Sequence, residues 1–232
     1  MKAIISSAVP KSAADALGRF CDVFSLRPDD SLAHPVRSHP DMIISVIGRR
    51  AILPRGYAEA NADLCAFIGG AVYDLIPADG RRGPEYPDDV GLNCALGDRF
   101  IVCRSRSTDG AVLEAARSDG LDIIDVNQGY AGCSCIVCGD SVITSDKGID
   151  DAVKSSGRES VLVPNDGIRL DGYDVGFIGG CGGFADGTLY FFGNIDTLPC
   201  GEPIRKFAER KGYSVVCLTD EKLTDYGGIK FI

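Results

Sequence analysis

Two hydrophobic periods alternate along the chain. Short β-like apolar runs, each preceded by a stretch with helical spacing, begin at positions 21, 72, 121, 160 and 213, roughly 50 residues apart. Between them one order recurs: a first strand, a glycine-containing turn, a second strand, a helix and a closing strand. The clearest copy has a first strand over 92–96, the turn Gly97-Asp98, a second strand over 100–103, a helix over 111–116 and a closing strand over 121–126. The next joins strands over 134–138 and 142–144 through Gly139-Asp140 and continues into a helix over 150–154. A further copy places its first strand over 175–178, a glycine turn over 179–183, a second strand over 188–192 and a helix over 203–209. Gly-Asp between two apolar runs marks a hairpin, because one turn residue has to accept a positive φ.

The pattern predicts five ββαβ units in one domain spanning 1–232. The N-terminal segment supplies only a helix and a closing strand, and residues 228–232 supply a lone strand, so both ends together complete the fifth unit. A ring closed in this way leaves no open sheet edge at the junction.

Composition narrows the function. With 45% hydrophobic and 25% charged residues the chain can bury a core. A net charge of −9 without a basic run argues against nucleic acid. Apolar stretches break within about ten residues, short of the roughly 20 that cross a bilayer. The start has no secretory signal pattern, so a cytoplasmic protein is expected. Most of the ten cysteines lie in apolar runs and read as buried thiols. Cys133, Cys135 and Cys138 include a CxxC, but Ile136-Val137 looks like strand interior and no second pair follows, so no metal or other cofactor is expected. Residues 180–185 fit a dinucleotide fingerprint in letters, yet an aromatic strand-like run follows where a helix N-terminus would be required, and a hairpin is the better reading. Asp146 and Asp196 are placed as helix N-caps, and Arg81-Arg82 as loop charges. Residues 80–87 are the best candidate for an insertion able to cover a site as a lid.

Five ββαβ units resemble the pentein fold, a five-bladed α/β propeller shared by guanidino-group-modifying enzymes and a ribosomal anti-association factor. Residues 127–133, 176–180 and 223–229 resemble an uncharacterised bacterial branch of it. The resemblance implies a site on the pseudo-five-fold axis, where each first strand begins. There the enzymes use a cysteine thiolate against a guanidinium carbon, a histidine as general acid and base, and carboxylates around the cation. The chemistry suits those groups: acceptor-only carboxylates hold a planar N–H-rich cation, and the cation in turn lowers a nearby thiol pKa.

The lead-ins to the first strands fall near 38–41, 86–89, 127–130, 171–174 and 223–226, and four of the five carry an aspartate. Asp41, Asp88 or Asp89, Asp174 and Asp225 are thus expected to converge with His39 and Gln128 on one acidic mouth. The sequence departs from the enzymes in two ways. Asp225-Tyr226-Gly227-Gly228-Ile229, where their C-terminal cysteine would fall, has none, and residues 40–232 contain no histidine. A rearranged constellation takes Cys133 as nucleophile, His39 as its partner across the axis and Asp41 as the orienting group, with Asp89, Gln128, Asp174 and Asp225 binding substrate. Two functions remain open: a cysteine-dependent amidinotransferase or guanidine hydrolase acting on a small guanidino or amidine cation, and a non-catalytic pentein that binds a small ligand or a protein partner.

Overall fold

The computed structural model describes residues 1–69 and 74–232. Their strands form five separate three-stranded sheets. The chain starts in β1 (Lys2–Ser6), passes through α1 (Lys11–Leu17) and returns in β2 (Asp22–Leu26) parallel to β1. The next sheet follows the short α2 (Pro40–Ile43) and comprises β3 (Ser45–Ile47), β4 (Arg50–Pro54) and β5 (Asp74–Ala78), with α3 (Arg55–Ala60) and α4 (Ala62–Gly69) in the crossover. β6 (Ala95–Leu96), β7 (Phe100–Cys103), α5 (Gly110–Ser118) and β8 (Asp122–Asp125) form a third unit. A fourth consists of α6 (Ala131–Ser134), β9 (Cys135–Cys138), β10 (Ser141–Thr144), α7 (Lys147–Ser155) and β11 (Glu159–Leu162). The last complete unit has β12 (Gly182–Ala185), β13 (Thr188–Phe191), α8 (Gly201–Lys211) and β14 (Ser214–Cys217). β15 (Lys230–Phe231) then pairs antiparallel with β1 and joins the N-terminal sheet.

In each complete unit the first strand runs antiparallel to the second, and the second runs parallel to the third across a helical crossover. Hydrophobicity explains the layering. The middle strands β7 and β10 are buried along their whole length, as a strand covered on both faces must be, while the outer strands β8 and β14 are partly exposed. The first strands face one another: Val46, Leu96, Ile136, Gly183 and Phe231, one from each sheet, line a shared axial cavity of about 190 Å³. The helices lie outside, and the largest fully buried side chains, Phe100, Phe191 and Phe207, fill the space around the blades.

Several expectations need correction. The segment over 175–178 is not a strand; the first strand of that unit is β12, inside the glycine run. The hairpin turn lies at Asp186-Gly187, both at positive φ (47° and 72°), so the glycines at 182 and 183 serve a strand and not a turn. The N-terminal segment supplies a strand, β1, besides its helix and closing strand. β6 is shorter than the predicted 92–96, because Val90 O and Leu92 O accept from Asn93 N and Cys94 N and hold this lead-in in tight turns. Asp196 does not cap a long helix: Asn194 caps the 3-10 turn that contains it, and both Asp196 oxygens bond Arg205. Asp146 does cap α7, accepting from Ile149 N at 2.9 Å. Of the strand predicted over 72–76, Val72 and Tyr73 lie outside the described residues.

Phe191 sits in the middle strand of its blade with no exposed surface. Phe191→Ala is expected to cost about 3–5 kcal/mol of stability, read as a lowered urea midpoint at unchanged slope.

Candidate active site

The lead-ins to the inner strands converge at one end of the axis. α2 begins with Pro40, whose ring is pre-set for a first helical turn, and this turn buries both His39 and Asp41. Asp41 N donates to Gly227 O, tying α2 to the lead-in of β15. From the other side Arg82 braces α2, donating to Met42 O at 3.1 Å while Asp29 pairs with its guanidinium at 2.7 Å. Arg82 is therefore no loose loop charge. Together with the bond from Gly80 N to Asp109, it anchors the start of the segment over 80–87, the candidate for a lid.

Asn93 organises the centre. Its Oδ1 accepts from Gly132 N (2.7 Å) and Cys133 N (3.2 Å), and its Nδ2 donates to Cys133 Sγ and to Met42 Sδ, each at 3.0 Å. One amide thus locks the second and third lead-ins together and fixes the thiol. Asp225 lies beyond it, accepting from Phe177 N at 2.9 Å and Gly227 N at 3.0 Å. His39 Nδ1 stands 3.8 Å from Asp225 Oδ1, past hydrogen-bond length. Gly180 is required by this crowding, since a Cβ there would lie 1.7 Å from Asp225 Oδ1.

Burial dominates the electrostatics of the cluster. Burial pushes Asp41 up to about 6, opposed chiefly by the Lys230 charge, and neither carboxylate oxygen has a hydrogen-bond partner of ordinary geometry. Burial and then the Asp41 charge push Asp225 up to about 7, against the two backbone N–H bonds. Cys133 is pushed well up by burial and by both carboxylates, with the Asn93 amide working the other way. Desolvation takes His39 down to about 4, so its ring is neutral near pH 7.

His39, Asp41, Cys133 and Asp225 are thus brought together. The remaining candidates are spread out. Asp174 is exposed in the wall of a roughly 720 Å³ mouth that His39 and Asp225 floor, alongside Asp171, Tyr173 and Arg169. Asp89 is buried and accepts from Tyr130 Oη at 2.7 Å, so that carboxylate braces the Tyr130 ring. Gln128 faces a separate cavity of roughly 650 Å³, where its amide donates to Asp146 at 3.0 Å. Asn93 was missed in the sequence. Its signal was available: Asn93-Cys94 precedes β6 as Cys133-Ser134 precedes β9, whereas the unit's lead-in had been placed several residues too early.

Five ββαβ blades around an axial cavity, with polar groups gathered where the inner strands begin, define a pentein fold. The sequence matches the family of unknown function DUF6873 over residues 4–230, and the chain belongs to that family. A comparison with curated proteins returns no match. Among solved structures, it is similar to a cysteine-to-serine mutant of DDAH from Pseudomonas aeruginosa complexed with citrulline, at 10% identity and a TM-score of 0.56, covering 97% of this chain and 92% of the other. It is also similar to the inosamine-phosphate amidinotransferase from Streptomyces griseus, at 13% identity and a TM-score of 0.53, covering 93% and 75%. An amidinotransferase of the saxitoxin biosynthetic pathway from Microseira wollei shares 13% identity with a TM-score of 0.52, covering 88% and 74%. At such identities the likeness establishes the fold. No helix among the described residues is long and apolar enough to cross a membrane.

The raised carboxylates carry a stability consequence. Asp41 and Asp225 bind protons more tightly folded than unfolded, so their contribution is complete below the ordinary carboxylate range near pH 4 and is lost as pH rises through about 6 and 7. Asp41→Asn is therefore expected to stabilise the fold at pH 8 by about 1–3 kcal/mol, with the gain gone by pH 4, in paired denaturation curves. His39 works in the opposite sense: its contribution is present above about 6.5 and is lost as pH falls through about 4.

Proposed function

We propose that the protein is a cysteine-dependent enzyme acting on a small guanidino or amidine cation, as an amidinotransferase or guanidine hydrolase. The observation that carries this reading is the Cys133 thiol held by Asn93 beside two buried carboxylates, Asp41 and Asp225, the second of which borders an open mouth together with His39. The structural neighbours lend support, since their names describe dimethylarginine and amidino chemistry.

In the unliganded site the carboxylates suppress the thiolate, so Cys133 is not activated in advance. A guanidinium settling against Asp41 and Asp225 reverses the field. It favours both carboxylates in ionised form, replaces their net repulsion of a thiolate with attraction, and places its carbon against the sulfur. His39, neutral near pH 7, is assigned the thiol proton once the bound cation has lowered the thiol pKa. The sulfur then bonds to the guanidinium carbon, the C–N bond to one amine breaks, and the proton passes from His39 to the departing amine. Water or a second amine next attacks the amidino carbon, the S–C bond breaks and the thiol is restored. Activation only by bound substrate would protect the thiol from adventitious electrophiles.

A second reading, a non-catalytic pentein that binds its ligand through the same mouth, is favoured by the suppression of the thiol. Screening arginine, agmatine and methylarginines for ammonia or citrulline release separates the two. On the enzymatic reading at least one compound turns over, Cys133→Ala abolishes turnover while leaving agmatine-type binding within about threefold, and Asp225→Asn weakens binding by tenfold or more. Binding without turnover of any compound would leave the second reading; absence of both would sink the cation site.

A further inference from the structure

The axial cavity carries a charge for which the proposed reaction has no role. The cavity of roughly 190 Å³ is lined by the five inner strands and their lead-ins, and two charged residues line it: Asp41 at the end occupied by the site, and Lys230 from β15. Lys230 stands opposite Ile4 in the register of the N-terminal sheet, on the innermost strand. Asp41 is 1% exposed, neither of its oxygens has a hydrogen-bond partner of ordinary geometry, and it forms no ion pair with Lys230; the two groups act on each other across the cavity.

We propose that Lys230 is a positioning residue of the site, acting through Asp41 as the counter-charge that keeps this buried carboxylate available to an incoming cation. The role in cation capture rests on the function proposed above; the charge coupling itself does not.

The separation matters. A buried carboxylate without any counter-charge holds its proton, while one in direct contact with an ammonium is already neutralised and occupied. A cation placed farther off favours the ionised form and leaves the carboxylate oxygens free. The groups facing Asp41 are Cys133 from α6, Asp225 from the lead-in of β15, His39 at the start of α2, and Lys230. Cys133 and Asp225 gain negative charge when ionised and His39 is neutral, which leaves Lys230 as the fixed positive charge in this set. Asp41 and Asp225 titrate as a coupled pair, so what Lys230 sets is the pH at which the pair first becomes negative.

The test reads the carboxylates directly. Protein labelled with 13C at the aspartate carboxyl carbons is titrated by NMR without ligand, the Asp41 resonance being assigned by its loss in Asp41→Asn. In Lys230→Met and Lys230→Gln the midpoint is expected to rise by about one pH unit, and in Lys230→Arg to stay near that of the native protein. An unchanged midpoint in both neutral variants, or an equal rise in Lys230→Arg, would overturn the proposal. Agmatine binding by calorimetry then separates the two claims. Several-fold weaker binding at pH 6.5 in Lys230→Met, recovering by pH 8, supports the role in capture. No agmatine binding by the native protein at any pH would refute the proposed function while the NMR titration still decides the coupling.

Discussion

Two carboxylates removed from water within reach of each other and of a thiol form an arrangement that opposes folding, and the architecture has to hold it in place. Asp41 and Asp225 lie nearly 200 residues apart in the chain, yet the Asp41 charge acts on Asp225. What keeps them together is the closure of the N-terminal sheet by β15, which brings the lead-in at 225–228 against α2 and lets Asp41 N bond Gly227 O. Arg82 holds α2 from behind, and the Asn93 amide fixes the thiol between them. The electrostatic cost is local, whereas the packing that offsets it is spread over five blades. This is how a fold of ordinary stability can maintain a strained cluster of charge.

The period of the hydrophobic runs made the blades legible, because closing strands and crossover helices are long enough to impose their spacing. The inner strands were harder to read. β6 and β15 are two residues long, and β12 is half glycine, a composition that signals a turn where local propensity alone is weighed. Tertiary packing overrode propensity there: Gly182 and Gly183 lie on a crowded axis where side chains do not fit, and the Asp-Gly pair that turns the chain lies just beyond them. An error of a few residues in one lead-in then displaced the site reading, and Asp89 was selected in place of Asn93.

Four of the sequence candidates meet in space because the five-fold argument depends on topology and not on exact boundaries. Gln128 and Asp174 do not join that cluster, for different reasons. Gln128 precedes the turn into α6 and bonds Asp146 across its own blade, while Asp174 lies on an exposed loop well before the true inner strand. Charge state was not legible at all. The same letter at 41 and at 196 denotes a carboxyl raised by desolvation in one place and lowered by an arginine fork in the other.

The lead-ins to the inner strands share one end of the axis, so a side chain from any of them can reach the same centre. The identity of the blade that carries a reactive group is then free to drift, provided the opposing blades supply its complement. Here sulfur stands in the third lead-in, an amide in the second, and carboxylates in the first and last. A rotary scaffold of this kind can seat a polar group on any blade without rebuilding the backbone, so a search for a fixed position in the chain overlooks groups that meet only across the circle.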